Sequence, residues 1–161
     1  MSEIKKTKYQ VTVGDESAGV KIFTFDEIKI GDELPPFTKW ITYKSGIRFG
    51  RTYKDVFSGH INPNVSEGQF GIRSMPVQGA VIESGVTSLI INWLRSAKPW
   101  LYGGRQETRF IQIVLPGDTL IYHGNVIEKI IDQDKKYVMV DVFAENQKGE
   151  KVMVATARVA F

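Results

Sequence analysis

The chain has 161 residues, a formal net charge of +3 and no cysteine. Without a thiol and with only two histidines, His60 and His123, one chain cannot build a disulfide framework, a cysteine-ligated zinc or iron–sulfur site, a thiol nucleophile or a three-imidazole metal centre. The small basic excess is spread along the chain, which argues against nucleic acid as a partner.

The length suits one domain, residues 1–161, large enough to bury a core without staples. In chain order, Met1–Ala18 reads as a polar, loosely packed arm with one short strand around Gln10–Val13. Lys21–Phe25 alternates and predicts a strand. Phe25–Asp32 predicts a short helix or turn ended by Gly31. Phe37–Tyr43, rich in aromatic and β-branched residues, predicts a strand. Ser45–Ser58 is ambiguous, with a helical turn at Tyr53–Phe57. Gly59–Pro76 holds three glycines, two prolines and two asparagines and predicts a long loop, the kind of segment that often carries function.

Val77–Ala97 predicts the one long helix. Val77, Val81, Ile82, Val86, Leu89, Ile90, Trp93 and Leu94 recur at helical spacing, and Pro99 marks the stop. Gln78, Glu83 and Asn92 make its apolar part, Val77–Leu94, too polar to span a bilayer. With no apolar run of the signal-peptide kind at the N-terminus, the expectation is a cytoplasmic protein without a membrane partner. Glu107–Leu115, Thr119–Ile131, Tyr137–Glu145 and Lys151–Phe161 then alternate, separated by turns at Leu115–Asp118, Asp132–Lys136 and Asn146–Glu150. They predict an antiparallel meander of four strands. A buried helix followed by antiparallel strands is an α+β arrangement in which a long sheet wraps round the helix.

Several segments carry a more specific signal. Phe57-Ser58-Gly59-His60-Ile61-Asn62-Pro63 precedes Pro76-Val77-Gln78-Gly79 at the helix start. Phe110–Leu120 reads FIQIVLPGDTL, and Ile30-Gly31-Asp32-Glu33-Leu34-Pro35 lies upstream. Together they resemble the MaoC-like dehydratase family, the (R)-specific enoyl-CoA hydratases of the hot-dog fold. That family's pattern runs S-G-D-x-N-P-x-H, then P-x-x-H-G at the central helix, then F-x-x-P-V-x-P-G-D-T-L. The resemblance covers about Glu27 to Phe161. It implies a hot-dog fold, an acyl-CoA or acyl-ACP thioester as partner, hydratase or dehydratase chemistry on 2-enoyl or 3-hydroxyacyl groups, no metal or other cofactor, and a dimer.

The family's catalytic pair is the Asp of S-G-D and the His five residues later. Here His60 stands at the Asp position and Val65 at the His position. Valine transfers no proton, and no other histidine lies between His60 and Gly79. For Gly79 the resemblance implies a backbone N–H aimed at the thioester carbonyl. A helix N-terminus suits that task, since its unpaired donors sit where enolate charge develops. The plainer alternative is that Gly79 allows close packing. Gln78, standing where the family keeps histidine, retains a donor.

A second resemblance, to the bacterial 3-hydroxyacyl-ACP dehydratases of the same fold, rests on Gly59-His60 and Val77–Glu83. It implies His60 as general base and Glu83 as the acid that protonates the leaving hydroxyl. Their acid lies five residues after the helix glycine, whereas Glu83 lies four after Gly79, an offset of about 100° on a helix. A solvent-facing Glu83 and a His60 that only holds its loop are the alternatives.

Asn62 either shapes the loop or meets substrate. Arg73 offers a guanidinium fork to a coenzyme A phosphate or is an ordinary surface arginine. Ser58 lacks a base, His123 reads as a sheet-surface residue, and Trp93, Trp100 and Tyr102 read as core or dimer contacts. Three functions remain open: a hydratase or dehydratase, a non-catalytic acyl-thioester-binding or partner subunit of a heteromeric dehydratase, and a thioesterase. The assembly is a homodimer, or a heterodimer with a related hot-dog subunit.

Overall fold

The last third of the chain folds into long strands because alternation lets one face of each bury apolar side chains. The structure, a computed structural model, describes residues 22–55 and 58–161. The expected arm and its short strand lie outside the described residues. Five strands form one sheet: β1 (Glu33–Trp40), β2 (Arg105–Phe110), β3 (Thr119–Asp132), β4 (Lys135–Glu145) and β5 (Lys151–Ala160). Their spatial order is β1-β3-β4-β5-β2, and all neighbours are antiparallel. Tyr122 and Val126 of β3, Val138, Val140 and Val142 of β4, and Ala157 and Val159 of β5 face inward and are buried.

The inner face is filled by α3 (Gly79–Leu94), whose Val81, Ile82, Val86, Leu89, Ile90, Trp93 and Leu94 join the same core. Each such side chain, fully buried, contributes about 1.5–3 kcal/mol. The closest approach is at Gly85, where a Cβ would lie 2.1 Å from the Tyr122 ring. The Tyr122 hydroxyl donates to the Ile82 carbonyl at 2.7 Å, which fixes the helix against β3. Three shorter helices are α1 (Tyr43–Thr52), α2 (Pro63–Phe70) and α4 (Lys98–Leu101). Among the described residues, no helix is long and apolar enough to cross a membrane.

Several expectations are corrected. Ile22–Thr24 lie outside the sheet, and Phe25–Glu27 form a 3-10 turn. The alternation there serves packing on the end of α3: Phe23 stacks on Trp93 and its N–H donates to the Leu94 carbonyl at 3.3 Å. The first strand begins at Glu33 and includes Pro35 and Pro36, which an edge strand tolerates because its outer N–H groups need no partner. Tyr43 opens α1, because the Thr42 hydroxyl accepts the Ser45 N–H and caps a helix there.

The loop Gly59–Pro76 contains α2, started by the Asn62 cap with Pro63 in the first turn. Pro99 sits in the first turn of α4, where its missing N–H is no loss; α3 had already ended at Leu94, with Arg95 at φ +56°. The four-strand meander is a meander only over β3, β4 and β5, while β2 crosses to the far side of β5. The Leu115–Asp118 turn is tied to the end of β1 instead, with the Ile41 N–H donating to the Asp118 carbonyl at 2.9 Å and the Gly117 N–H to the Ile41 carbonyl at 2.8 Å.

Candidate functional site

The N-terminus of α3 is where the expected site residues can meet. Gly79 is its first residue, so its N–H has no carbonyl one turn back inside the helix. A Cβ on Gly79 would lie 2.7 Å from the Phe110 ring, so the missing side chain also lets β2 close over the helix start. Both readings of Gly79, donor and close packing, are compatible with this position.

Gln78 precedes it and makes no side-chain cap. Its amide runs sideways under α1: Nε2 donates to the Gly46 carbonyl at 3.2 Å and to Asp55 Oδ2 at 3.3 Å. Gly46 and Gly50 make room, since a Cβ there would lie 3.3 Å from Oε1 and 3.2 Å from Nε2 respectively. Two acceptors facing Nε2 fix the amide's orientation and leave Oε1 buried without a hydrogen-bond partner. Gln78 is only 5% exposed, so this amide is part of the buried packing between α1 and the start of α3.

His60 is half-buried on the turn before α2. Its Nδ1 lies 2.8 Å from the Pro76 carbonyl, three residues before Gly79. A carbonyl only accepts, so Nδ1 carries the proton and a neutral ring keeps its lone pair on Nε2. The ring rests against Phe70 at 5.4 Å between centroids. The turn is pinned by the His60 N–H donating to Ser58 Oγ and the Gly59 N–H donating to Gln69 Oε1. Ser66 Oγ, buried in α2, donates to the Ser74 carbonyl and holds the segment leading to Pro76.

The remaining expected residues are dispersed. Asn62 Oδ1 accepts the Asn64 N–H at 3.0 Å, so its side chain is engaged as the cap of α2. Arg73 pairs with Glu67 at 3.1 Å, with both side chains exposed. Glu83 lies half-buried one turn beyond Gly79, and no hydrogen bond or ion pair joins it to His60. His123 lies on the outer sheet face, stacked on Phe143 at 4.7 Å, with Nε2 3.3 Å from Glu145 Oε1 but too poorly aligned for a hydrogen bond.

Asp55 and Lys39 are polar groups near this helix that sequence reasoning missed. Nothing in the periodicity around Asp55 marks it, because its contact with Gln78 joins distant segments. Lys39 alternates inward on β1, and its Nζ donates to the Val81 carbonyl and to Ser84 Oγ at 2.7 Å. Burial lowers its pKa from the ordinary 10.5.

A groove of about 710 Å³ lies elsewhere, on the outer sheet face among Glu107, Arg109, His123, Asp141 and Lys151. None of His60, Gln78, Gly79 or Glu83 lines it. Among the described residues, no three His, Asp or Glu side chains cluster as metal ligands. The helix terminus at Gly79 is suited to polarising a carbonyl, and the segment bonded to Pro76 carries a histidine whose second ring nitrogen can accept a proton.

No family model matches the chain, and no curated protein matches it in sequence. Solved structures do match. A monoamine oxidase regulatory protein from Archaeoglobus fulgius superposes with a TM-score of 0.75 at 23% identity, covering 87% of this chain and 94% of that one. A MaoC-like dehydratase from Rhodospirillum rubrum gives 0.69 at 19% identity, covering 86% and 95%. An (R)-hydratase from A. caviae involved in PHA biosynthesis gives 0.65 at 18% identity, covering 82% and 96%. Likeness at these identities is likeness of fold: the chain has the α+β hot-dog fold, and its structural neighbours are MaoC-like dehydratases and (R)-hydratases.

Proposed function

We propose that this chain binds an acyl thioester, carried by coenzyme A or acyl carrier protein, at the N-terminus of α3 and interconverts 2-enoyl and 3-hydroxyacyl groups. The observation that supports the reading is the bond from His60 Nδ1 to the Pro76 carbonyl, three residues before Gly79, which leaves the basic lone pair of a neutral ring on Nε2. In the dehydration direction His60 takes the Cα proton, electron density moves onto the thioester oxygen beside the Gly79 N–H, and the C3 hydroxyl leaves with a proton from an acid. Glu83 is that acid in this reading, and Asp55, held by Gln78, is the second carboxylate to test. Gln78 and Asn62 contribute by fixing the helix start and the turn before α2, and Arg73, exposed on the same segment, is the residue to test for a carrier phosphate. The working unit is a dimer in the cytoplasm.

The test is turnover of crotonyl-CoA and longer enoyl-CoA thioesters, followed by loss of the enoyl absorbance. His60→Ala is expected to lower the rate by about 10²–10⁴-fold, the usual worth of a positioned base. Glu83→Gln and Asp55→Asn then identify the acid by which one removes the alkaline limb of the pH–rate profile.

A second reading is favoured by Val65, which stands where the resembled family keeps its histidine. In it the chain binds the thioester but serves as partner to an active subunit. A ChsH1–ChsH2 complex from Mycobacterium tuberculosis is among the structures of the same fold. No turnover with retained acyl-CoA binding supports this reading, and release of free coenzyme A without hydration points to a thioesterase.

A further inference from the structure

At the other end of α3, roughly 24 Å away along a 16-residue helix, the sheet carries a separate groove of about 480 Å³. Its walls hold Lys98 from α4, Arg105 from β2, Arg158 from β5, and Lys135 and Lys136 from the β3–β4 hairpin, with no Asp or Glu side chain among the lining residues. Arg105 and Arg158 are direct cross-strand partners. Like charges directly opposite on one sheet face repel across about 5 Å, an arrangement that invites an anion between them.

Neutralisation from within is slight. Among the described residues, neither arginine has a carboxylate at ion-pair distance; Lys136 has Asp26 at 3.5 Å, and Lys135 stands opposite Asp132 in the hairpin register. The Arg158 guanidinium lies over the Tyr137 ring at 4.6 Å, which orients it, and its Nε is buried without a hydrogen-bond partner. Beside the cations Tyr102, 82% exposed, presents a bare aromatic ring to the groove.

We propose that this groove is a binding site for a phosphate-bearing small anion, with the Arg105 and Arg158 forks taking phosphate oxygens. Tyr102 offers a stacking surface to a base, so the ligand class extends to nucleoside diphosphates. The site is independent of the thioester reading, because it shares no residue with the α3 N-terminus and its test reads binding alone.

The experiment is calorimetric titration of the full chain at low salt with inorganic pyrophosphate, ADP and adenosine. Pyrophosphate and ADP are expected to bind saturably and adenosine not at all. Arg105→Gln/Arg158→Gln is expected to weaken both anions by about tenfold or more, the loss of a charge-assisted hydrogen bond. ADP binding tighter than pyrophosphate, with the difference removed by Tyr102→Ala, identifies a nucleotide as the source. Equal affinities identify free phosphate or pyrophosphate.

Thermal melting keeps the test decisive if the double variant folds poorly. Pyrophosphate should raise the midpoint of the wild type and not that of Arg158→Gln, while Arg158→Gln alone, relieved of the like-charge contact, should melt no lower than wild type without ligand. No saturable binding of either anion, or equal loss in Lys151→Gln on the other groove, overturns the proposal.

Discussion

Tyr122 shows how one side chain decides where the central helix lies. Its ring occupies the space that a Cβ on Gly85 would need, and its hydroxyl is spent on the Ile82 carbonyl. Gly85→Ala is therefore expected to destabilise by about 1–3 kcal/mol or more, since neither ring nor helix backbone has room to retreat, as urea unfolding would show. Burial also raises the Tyr122 ionisation above its ordinary 10.0. The folded state then holds this proton more tightly than the unfolded chain. Its contribution to stability is complete below pH 10.0 and is lost as pH rises from there toward the folded value. Tyr122→Phe should cost about 0.5–1.5 kcal/mol at neutral pH through the lost hydrogen bond. It should also flatten the alkaline decline in stability, which unfolding curves on either side of pH 10.0 would detect.

At the scale of elements, α2 is the instructive case. Its segment reads as loop because glycine, proline and asparagine dominate and no apolar stripe runs through it. Yet Asn62-Pro63 is itself a start signal, a capping side chain followed by a residue that tolerates the first turn. The helix matters because it carries Phe70 and Gln69, which hold the His60 turn in place. Asn62→Ala is expected to lose about 0.5–2 kcal/mol with the cap. Arg73→Ala, which removes only an exposed ion pair, should lose about 0–1 kcal/mol in the same denaturant titration. Equal losses would mean that the cap does not hold the segment. The strands β3, β4 and β5 were legible because a half-buried sheet imposes a period of two on its own sequence. Of the expected strand Lys21–Phe25, Lys21 lies outside the described residues, and Ile22–Phe25 show the limit of that rule, since packing on a helix end can ask for the same alternation.

For the whole molecule, what is close in space is often far in sequence. β2 follows α4 in the chain but borders β5, and only that crossing sets Arg105 beside Arg158. The contact of Gln78 with Asp55 and Gly46 spans three segments that no local pattern connects. β1 and β2 stand at the two edges of the sheet, with backbone groups open to pairing, consistent with the dimer proposed above. The proposed thioester site and the cationic groove occupy opposite ends of α3, so a two-ended helix organises both.

By itself the sequence determined that one apolar helix would be enclosed by antiparallel strands, while the roles of His60 and Gly79 were only implied by the resemblance to the MaoC-like family. The helix and the strands follow from side-chain type and local period, which the backbone geometry of helix and strand translates directly. Only the tertiary structure decided the place of β2, the tautomer of His60, the unsatisfied oxygen of Gln78 and the paired arginines. Each of these depends on which distant segments share one core, and that is settled by packing and hydrogen bonding across the chain rather than along it.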